Sequence, residues 1–310
     1  MNHLLKLSDL TKEELLSILE TGHDLKKKLK DGIETPYLKG KTLGMIFQKA
    51  STRTRVSFEV GMSQLGGKPL YLSASDLQMG RGEPIEDTAR VLSRYLDAIM
   101  IRTFKQEDVE SLAEYGSIPI INGLTDLYHP CQILADLMTI QEVKGSLENL
   151  KFAFVGDGNN MANSLIVGSL LAGASISVAS PKGYQPDELI LETYGKDPKF
   201  TLTENPYEAV KDADVVFTDV WASMGDESET EKRKLIFQDL YQVNTELLSV
   251  AQPEVMVQHC LPAHKEEEIT TEVFEQHADY IFEEAENRLH VQKAVLVHLM
   301  GVPMYASEFK

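Results

Sequence analysis

The stretch TLGMIFQKASTRTRVSFEVGMSQLGG, residues 42–67, predicts the fold most directly. Its apolar beginning, residues 42–48, is typical of a buried strand, and residues 53–65 then follow the pattern of a helix. The pair Gly66-Gly67 ends that helix, because glycine readily adopts the left-handed conformation that commonly closes a helix. A strand followed at once by a helix is the repeating unit of a parallel sheet, so the stretch predicts an α/β fold.

The same alternation extends over the rest of the chain. A helix predicted at residues 130–143 separates two sets of strands. The first set continues at residues 70–72, 98–101 and 118–121, and the second lies at residues 152–155, 175–179, 215–218 and 254–257. A closing helix is predicted at residues 284–299. The two sets predict two doubly wound domains, each a parallel sheet flanked by helices, joined by interdomain helices. We expect domains at residues 1–146 and 147–286, with a C-terminal helix at 287–310 that packs back on the first.

Composition narrows the class of protein. The 310 residues include 48 acidic and 30 basic side chains, a formal net charge of −18. Such a chain repels a phosphate backbone, so we expect no nucleic-acid partner. Residues 1–10 lack a basic start with an apolar run, and Gly173-Ala174-Ser175 divides the uncharged stretch 158–180, so we expect neither a secretory signal nor a membrane span. With only Cys131 and Cys260 as cysteines, a cytoplasmic location is the simpler interpretation.

The strongest chemical motif is Ser51-Thr52-Arg53-Thr54-Arg55, between the first predicted strand and helix. Helix N-terminal N–H groups, three hydroxyl groups and two guanidinium groups converge there, and all of them favour an anion. Basic side chains are unfavourable at a helix N-terminus unless an anion compensates them. The motif therefore predicts a phosphate or carboxylate site at the carboxyl edge of a parallel sheet, where open α/β folds bind ligands.

The segment His129-Pro130-Cys131-Gln132 begins the helix predicted at residues 130–143. His129 and Gln132 are three residues apart, so both side chains could contact one ligand from the first helical turn. On its own, this spacing is equally consistent with a ligand site and with a capping or packing role of His129.

The segment HCLPAH, residues 259–264, follows the last predicted strand. Cys260 and His264 are compatible with a metal site or with a Cys–His nucleophilic pair. Pro262 is compatible with a packed loop that directs backbone carbonyls toward a ligand. Two cysteines and no compact ligand set weigh against zinc.

The segment DVWASMG, residues 219–225, also follows a predicted strand. Asp219 could bind an ammonium group, and Ser223 with the backbone after it could hold a carboxylate. The segment GDGNN, residues 156–160, is similar to a dinucleotide fingerprint, but the pattern GxGxxG is incomplete. It is a weak indication of NAD, and a strand end that contacts substrate is favoured.

Taken together, these segments resemble the aspartate/ornithine carbamoyltransferase superfamily. STRTR at 51–55, HPCQ at 129–132 and HCLPAH at 259–264 are its markers, and DVWASMG at 219–225 is similar to the ornithine branch. The resemblance covers nearly the whole chain. It implies a carbamoyl phosphate-binding first domain, an ornithine-binding second domain, and a reaction in which the δ-amine of L-ornithine attacks the carbonyl carbon of carbamoyl phosphate.

The resemblance also implies roles for single residues. Those implied to bind carbamoyl phosphate are Ser51, Thr52, Arg53, Thr54, Gln78, Arg102, His129, Gln132, Cys260, Leu261 and Arg288. Those implied to bind ornithine are Asn160, Asp219, Ser223 and Met224. Arg102, His129 and Cys260 would be catalytic. The first two would donate toward the carbonyl oxygen, where negative charge grows, and Cys260 would lie beside the attacking amine.

Assembly, cofactors and alternatives complete the prediction. Gln78 resembles the residue that this family lends to a neighbouring subunit's site, which implies a homotrimer with shared active sites. No metal or organic cofactor is implied, because carbamoyl phosphate is already activated. The alternatives are a putrescine carbamoyltransferase, a Rossmann-type dehydrogenase and a catalytically silent binding subunit. The amino-acid-binding segment, the incomplete glycine fingerprint and the complete set of polar motif residues weigh against them in turn.

Overall fold

The computed structural model describes residues 1–79, 82–222 and 229–301. The chain divides into two compact units. Unit 1 comprises Met1–Met138 and the described residues from Asn287 onward, and unit 2 comprises Thr139–Glu286. Among the described helices, none combines the length and the hydropathy that crossing a bilayer requires.

Unit 1 contains a parallel four-stranded sheet in the order β2-β1-β3-β4. Its strands are β1 (Thr42–Phe47), β2 (Lys68–Ser73), β3 (Ala98–Arg102) and β4 (Ile120–Leu124). Its helices are α1 (Lys12–Lys30), α2 (Thr52–Gln64), α3 (Ile85–Leu92), α4 (Gln106–Tyr115) and the first part of α5 (Pro130–Lys144). Every residue of β3 and β4 is buried. Helices cover both faces of the inner strand β3, and the segment at Leu4, which bridges to Ile121, covers the outer edge of β4.

The strand order of unit 1 reverses between β1 and β3. The chain runs from β1 outward to β2 and then returns to β3 on the other side of β1. Phe47 at the end of β1 pairs with Arg102 at the end of β3. In open α/β sheets ligands bind outside the carboxyl ends of the strands at such a reversal. The STRTR motif, which follows β1, therefore lies where this fold binds ligands.

Unit 2 contains a parallel five-stranded sheet in the order β7-β6-β5-β8-β9. Its strands are β5 (Lys151–Val155), β6 (Ser175–Ala179), β7 (Phe200–Thr203), β8 (Val215–Thr218) and β9 (Met256–His259). Its helices are α6 (Asn160–Ala172), α7 (Glu188–Tyr194), α8 (Pro206–Val210), α9 (Thr230–Phe237), α10 (Thr245–Leu248), α11 (Thr271–Gln276) and the first part of α12 (Ala278–Met300). Its order reverses between β5 and β8, so this unit has a second ligand-binding edge.

The predicted α/β fold with two doubly wound parallel sheets is confirmed. The chain leaves unit 1 within α5 and returns to it within α12. α1 begins with a Thr11/Glu14 capping box: Thr11 Oγ1 accepts the Glu14 N–H at 3.2 Å, and Glu14 Oε2 accepts the Thr11 N–H at 3.0 Å.

Some strand bounds differ from the prediction. β7 was missed, because only Phe200 of its four residues is buried and it therefore has no apolar run. β4 and β9 each begin two residues later than predicted. Each includes a polar side chain that is wholly buried, Asn122 in β4 and Gln258 in β9, and a search for apolar runs excludes such residues.

Candidate active site

The N-terminus of α2 carries the predicted anion-binding motif. Ser51 is the N-cap, and its Oγ accepts the N–H of Thr54 at 3.2 Å. The Ser51 hydroxyl is the acceptor in this contact, so its own proton can be donated to a ligand. The two arginines of the motif differ in exposure. Arg53 is partly buried, whereas Arg55 is exposed, donates to Glu59 at 3.0 Å and stacks on the Tyr71 ring.

Arg288, on α12, brings three segments of unit 1 together. Its Nη2 donates to Thr54 Oγ1 at 3.1 Å, and its Nη1 donates to Gln132 Oε1 at 2.6 Å. Its Nε donates to Gln292 Oε1 at 3.3 Å, and the Arg288 residue is 3% exposed. Arg288 therefore contacts both Thr54 and Gln132, which lie far from it and from each other in sequence.

Neighbouring side chains orient this cluster. Gln132 Nε2 donates to Asp136 Oδ1 at 2.8 Å, which directs the Gln132 oxygen toward Arg288. The Gln292 amide and the Ser57 hydroxyl also contact each other at 2.8 Å. Sequence reasoning missed Asp136 and Gln292, although each lies four residues after a predicted site residue on the same helix, the spacing at which helical side chains meet.

His129 is buried and lies within the field of three arginines. Its pKa lies well below the usual value of 6.5, first because the ring is buried, then because the charges of Arg288, Arg102 and Arg53 oppose protonation. Arg102, the last residue of β3, is also buried. The imidazole is therefore neutral at neutral pH and carries one N–H. Three guanidinium groups around it produce the positive potential that a small anion needs in a chain of net charge −18.

The depressed pKa of His129 predicts a pH-dependent loss of stability. Below pH 6.5 the unfolded chain protonates this histidine, whereas the folded protein does not until the lower folded pKa is reached. The unfolded state then binds more protons, so stability falls as pH falls, by at most about 1.4 kcal/mol per pH unit from this group. We expect the free energy of unfolding of His129→Asn, measured in urea, to fall less between pH 6.5 and 5.5 than that of the wild type. Equal decreases in the two proteins would contradict the assignment.

Two further residues of unit 1, Cys131 and Gln78, have simpler surroundings. Cys131 is buried, its thiol donates to the Asn122 carbonyl at 3.5 Å, and burial raises the pKa of Cys131 to about 12. It is a packing residue. Gln78 is exposed, shortly after the 3₁₀ turn Ala74–Asp76.

In unit 2, strand register places Cys260 beside Asp219. Thr218 pairs with His259 across β8 and β9, so the next residue of each strand lies at the same level of the carboxyl edge. Cys260 Sγ donates to Asp219 Oδ1 at 3.1 Å, and Asn159 Nδ2 donates to Asp219 Oδ2 at 2.8 Å. Asn159 follows β5, so its contact with Asp219 crosses the reversal of strand order.

Asp219 has the properties of a site for a cation. It is 7% exposed, and among the described residues its hydrogen-bond donors are a neutral amide and a thiol, with no cation in contact. A buried carboxylate is stabilised most by a charged partner. Asn160, the first residue of α6, is partly exposed nearby in sequence, whereas the predicted residues Ser223 and Met224 lie outside the described residues.

The second glycine of GDGNN, Gly158, serves the packing of the protein itself. A Cβ on Gly158 would lie 2.1 Å from the carbonyl carbon of Gln185, and the Gly158 N–H donates to the Tyr184 carbonyl at 2.7 Å. Asn159 caps α6. A dinucleotide fingerprint uses a glycine for close approach of a pyrophosphate, whereas here protein backbone makes that approach.

Two groups of potential metal ligands occur among the described residues. Within each group, the candidate ligand atoms lie within 4.8 Å of one another; the groups are Asp219, His259 and Cys260, and His264, Glu267 and Glu268. His259 Nδ1 accepts the Leu261 N–H, and Nε2 contacts Glu268, so a metal would have to replace one of these contacts. That no metal is required stays a prediction.

These features define an α/β enzyme of small charged metabolites, with an arginine-rich edge in one unit and a buried carboxylate at the corresponding edge of the other. Family models match both halves of the chain: the aspartate/ornithine carbamoyltransferase carbamoyl-P binding domain at residues 2–142, and the Asp/Orn binding domain at residues 148–299. The chain belongs to the aspartate/ornithine carbamoyltransferase family.

Individual relatives agree with this placement. The ornithine carbamoyltransferase of Carboxydothermus hydrogenoformans is 56% identical over 96% of this chain and 97% of its own length. The protein named "Ornithine carbamoyltransferase, anabolic" from Pyrococcus furiosus is 54% identical over 96% of both chains. A solved structure of the ornithine carbamoyltransferase from Pyrococcus furiosus has a TM-score of 0.91 at 53% identity, covering 96% of this chain and 97% of that one.

Proposed function

We propose that this protein transfers the carbamoyl group of carbamoyl phosphate to the δ-amine of L-ornithine, giving L-citrulline and phosphate. The observation that carries the proposal is the set of three arginines around a neutral, buried His129 in unit 1. Its second support is Asp219 in unit 2, a buried carboxylate with no cation in contact among the described residues. A dianionic phosphate suits the first feature, and the α-ammonium group of an amino acid suits the second.

In the carbamoyl phosphate half, Ser51, Thr52, Arg53 and Thr54 would hold the phosphate, together with Arg102. Gln132, the Leu261 carbonyl and Arg288 would orient the carbamoyl group. The contacts of Arg288 with Thr54 and Gln132 support this grouping, because they hold both side chains before any ligand binds. Alignment of two reactants can contribute about 7–11 kcal/mol to catalysis.

The chemical step follows from the charges that develop. The neutral δ-amine attacks the carbonyl carbon, a C–N bond forms, and the carbonyl oxygen gains negative charge. Arg102 and the N–H of His129 would donate to that oxygen, and such a donor is typically worth about 10²–10³ in kcat. The C–O bond to phosphate then breaks, and phosphate leaves as an anion held by the arginines. The departing phosphate takes up the proton that the former amine loses.

In the ornithine half, Asp219 would pair with the α-ammonium group, and Asn160, Ser223 and Met224 would contact the amino-acid end. Cys260 would lie beside the attacking amine, where its thiol already contacts Asp219. Putrescine is ornithine without the α-carboxylate, so it keeps an ammonium group at the position that would pair with Asp219 but offers no carboxylate. A site built for the carboxylate leaves the polar atoms that would hold it unpaired when putrescine binds.

Phosphate release from carbamoyl phosphate, with ornithine, putrescine and aspartate as acceptors and citrulline as the expected product from ornithine, tests the proposal. We expect ornithine to exceed putrescine in kcat/KM by at least about 10²-fold and by as much as about 10⁴-fold, because unpaired polar groups penalise the smaller substrate. Aspartate should be inert, and activity should rise with pH as the δ-amine loses its proton. Equal use of putrescine and ornithine would refute the ornithine assignment and leave the carbamoyl phosphate half standing.

The proposal extends to assembly, location and direction. A homotrimer in which Gln78 completes a neighbouring subunit's site is consistent with the exposure of Gln78. The biosynthetic direction is supported by the 54% identity to the relative named anabolic. The cytoplasmic location rests on the sequence, above all on its two cysteines.

A further inference from the structure

We propose that His259 is a positioning residue for this reaction: its ring holds the backbone at Leu261 and thereby fixes both the Leu261 carbonyl and the Cys260 thiol. The proposal rests on the proposed function, in which Leu261 orients the carbamoyl group and Cys260 lies beside the amine. His259 itself ends β9 and is 1% exposed, so it contacts neither substrate directly.

The hydrogen bonds of the His259 ring fix its tautomer. The Leu261 N–H donates to Nδ1 at 3.0 Å, so Nδ1 must be without a proton. The proton of the neutral ring is therefore on Nε2, which lies 2.9 Å from Glu268 Oε1. A carboxylate that accepts from one ring nitrogen, as Glu268 does here, holds both the tautomer and the orientation of the imidazole.

Glu268 ties the ring to the far end of the same loop. The Glu268 side chain has no exposed surface, and its Oε1 also accepts the His264 N–H at 2.6 Å. The backbone N–H of His259 donates to Glu284 Oε2 at 3.1 Å, and this hydrogen bond anchors the near end of the loop. Residues 260–263 are therefore held from both ends by groups that are themselves buried.

The backbone at Leu261 requires such support. Its φ is +59°, in the left-handed region that L-residues other than Asn and Asp seldom adopt. Such a conformation persists only where the surroundings impose it. The hydrogen bond from Leu261 to His259 Nδ1 is a contact at this residue that imposes it. Because Cys260 lies between the two hydrogen-bonded residues, the same contact sets the position of its thiol against Asp219.

Two replacements of His259 separate positioning from stability. Asparagine can place an acceptor oxygen near the position of Nδ1 but cannot reach Glu268. Glutamine can reach Glu268 but has no acceptor near the position of Nδ1. A merely structural role predicts that glutamine is the better replacement, because it leaves the smaller cavity and keeps the buried carboxylate paired. The positioning role predicts the opposite order in activity.

The reactivity of Cys260 supplies a readout that needs no turnover. Cys131 is buried with a raised pKa, so iodoacetamide reports on Cys260 in the folded protein. A carboxylate beside a thiol opposes formation of the thiolate, so loss of the contact with Asp219 speeds alkylation. We expect His259→Gln to raise the alkylation rate on the order of tenfold and to lower kcat about 10²-fold, with KM for ornithine within about threefold. His259→Asn should stay within about tenfold of the wild type in kcat and within about twofold in alkylation rate.

A third variant, Glu268→Gln, tests whether the His259–Glu268 pair acts by positioning the loop or by transferring a proton. A glutamine oxygen can still accept from Nε2 and from the His264 N–H, so we expect kcat within about threefold of the wild type. A loss as large as that of His259→Gln, or a kcat for His259→Asn no higher than for His259→Gln, would overturn the positioning role.

Failure of the proposed function gives a different result. If the wild type forms no citrulline, the proposed function fails, whereas the alkylation rates of Cys260 still test the loop geometry. If His259→Gln does not fold, as judged by thermal unfolding, Glu268→Ala replaces it. That variant removes the partner of Nε2, and an unchanged alkylation rate of Cys260 in it would overturn the inference.

Discussion

Replacing Arg53 with alanine is expected to lower kcat/KM for carbamoyl phosphate by roughly 10²–10⁴-fold. A guanidinium group that holds a phosphate makes two charge-assisted hydrogen bonds, each worth about 1.5–3 kcal/mol, and about 1.4 kcal/mol is tenfold. Arg53 also contributes to the positive field at His129, so its removal weakens the same potential that attracts the anion. Steady-state kinetics with carbamoyl phosphate as the varied substrate measure the loss.

The matched control is Arg55→Ala, in the same motif and two residues away. Arg55 is exposed, pairs with Glu59 on its own helix and stacks on Tyr71. An exposed pair of this kind contributes about 0–1 kcal/mol to stability, and its loss should leave kcat/KM close to that of the wild type. The phosphate assignment fails if Arg53→Ala and Arg55→Ala have the same kinetics, or if Arg53→Ala keeps wild-type affinity.

Replacing Asp219 with asparagine is expected to raise KM for ornithine by about 10²–10³-fold. The change keeps the shape and one acceptor oxygen for Asn159, but it removes the negative charge that pairs with the α-ammonium group. Removal of one partner from a buried ion pair costs about 3–5 kcal/mol. Putrescine carries an ammonium group at the same position, so its smaller kcat/KM should fall as well, whereas the preference for ornithine, which depends on the carboxylate, should persist.

The matched control is Asp214→Asn, at the other end of the same strand. Asp214 precedes β8, and its Oδ2 accepts the Lys151 N–H at 2.8 Å, a contact that the oxygen of asparagine can still accept. We expect both substrates to be used as in the wild type. An unchanged KM for ornithine in Asp219→Asn, with Asp214→Asn as reference, would remove Asp219 from the ornithine site.

Much of the fold follows from local sequence signals. The run TLGMIFQ and the helical pattern after it correspond to β1 and α2 within one residue, because apolar runs and helix-ending glycines act locally. The prediction was less accurate where polar side chains are buried. Asn122 and Gln258 are wholly buried inside strands, and Asn122 is paired there with the Leu5 carbonyl and Gln106 Oε1, contacts between distant segments that a local apolar pattern does not contain.

By itself the sequence determined the two sets of alternating strands and helices, and it placed STRTR, HPCQ, DVWASMG and HCLPAH after strands. Those features depend on neighbours within one or two turns of the chain. The tertiary structure alone decided that Arg288 contacts Thr54 and Gln132, and that Cys260 contacts Asp219. Strand order and register produce the second contact, and the packing of α12 produces the first. Both depend on burial shared among distant segments, which no local pattern contains.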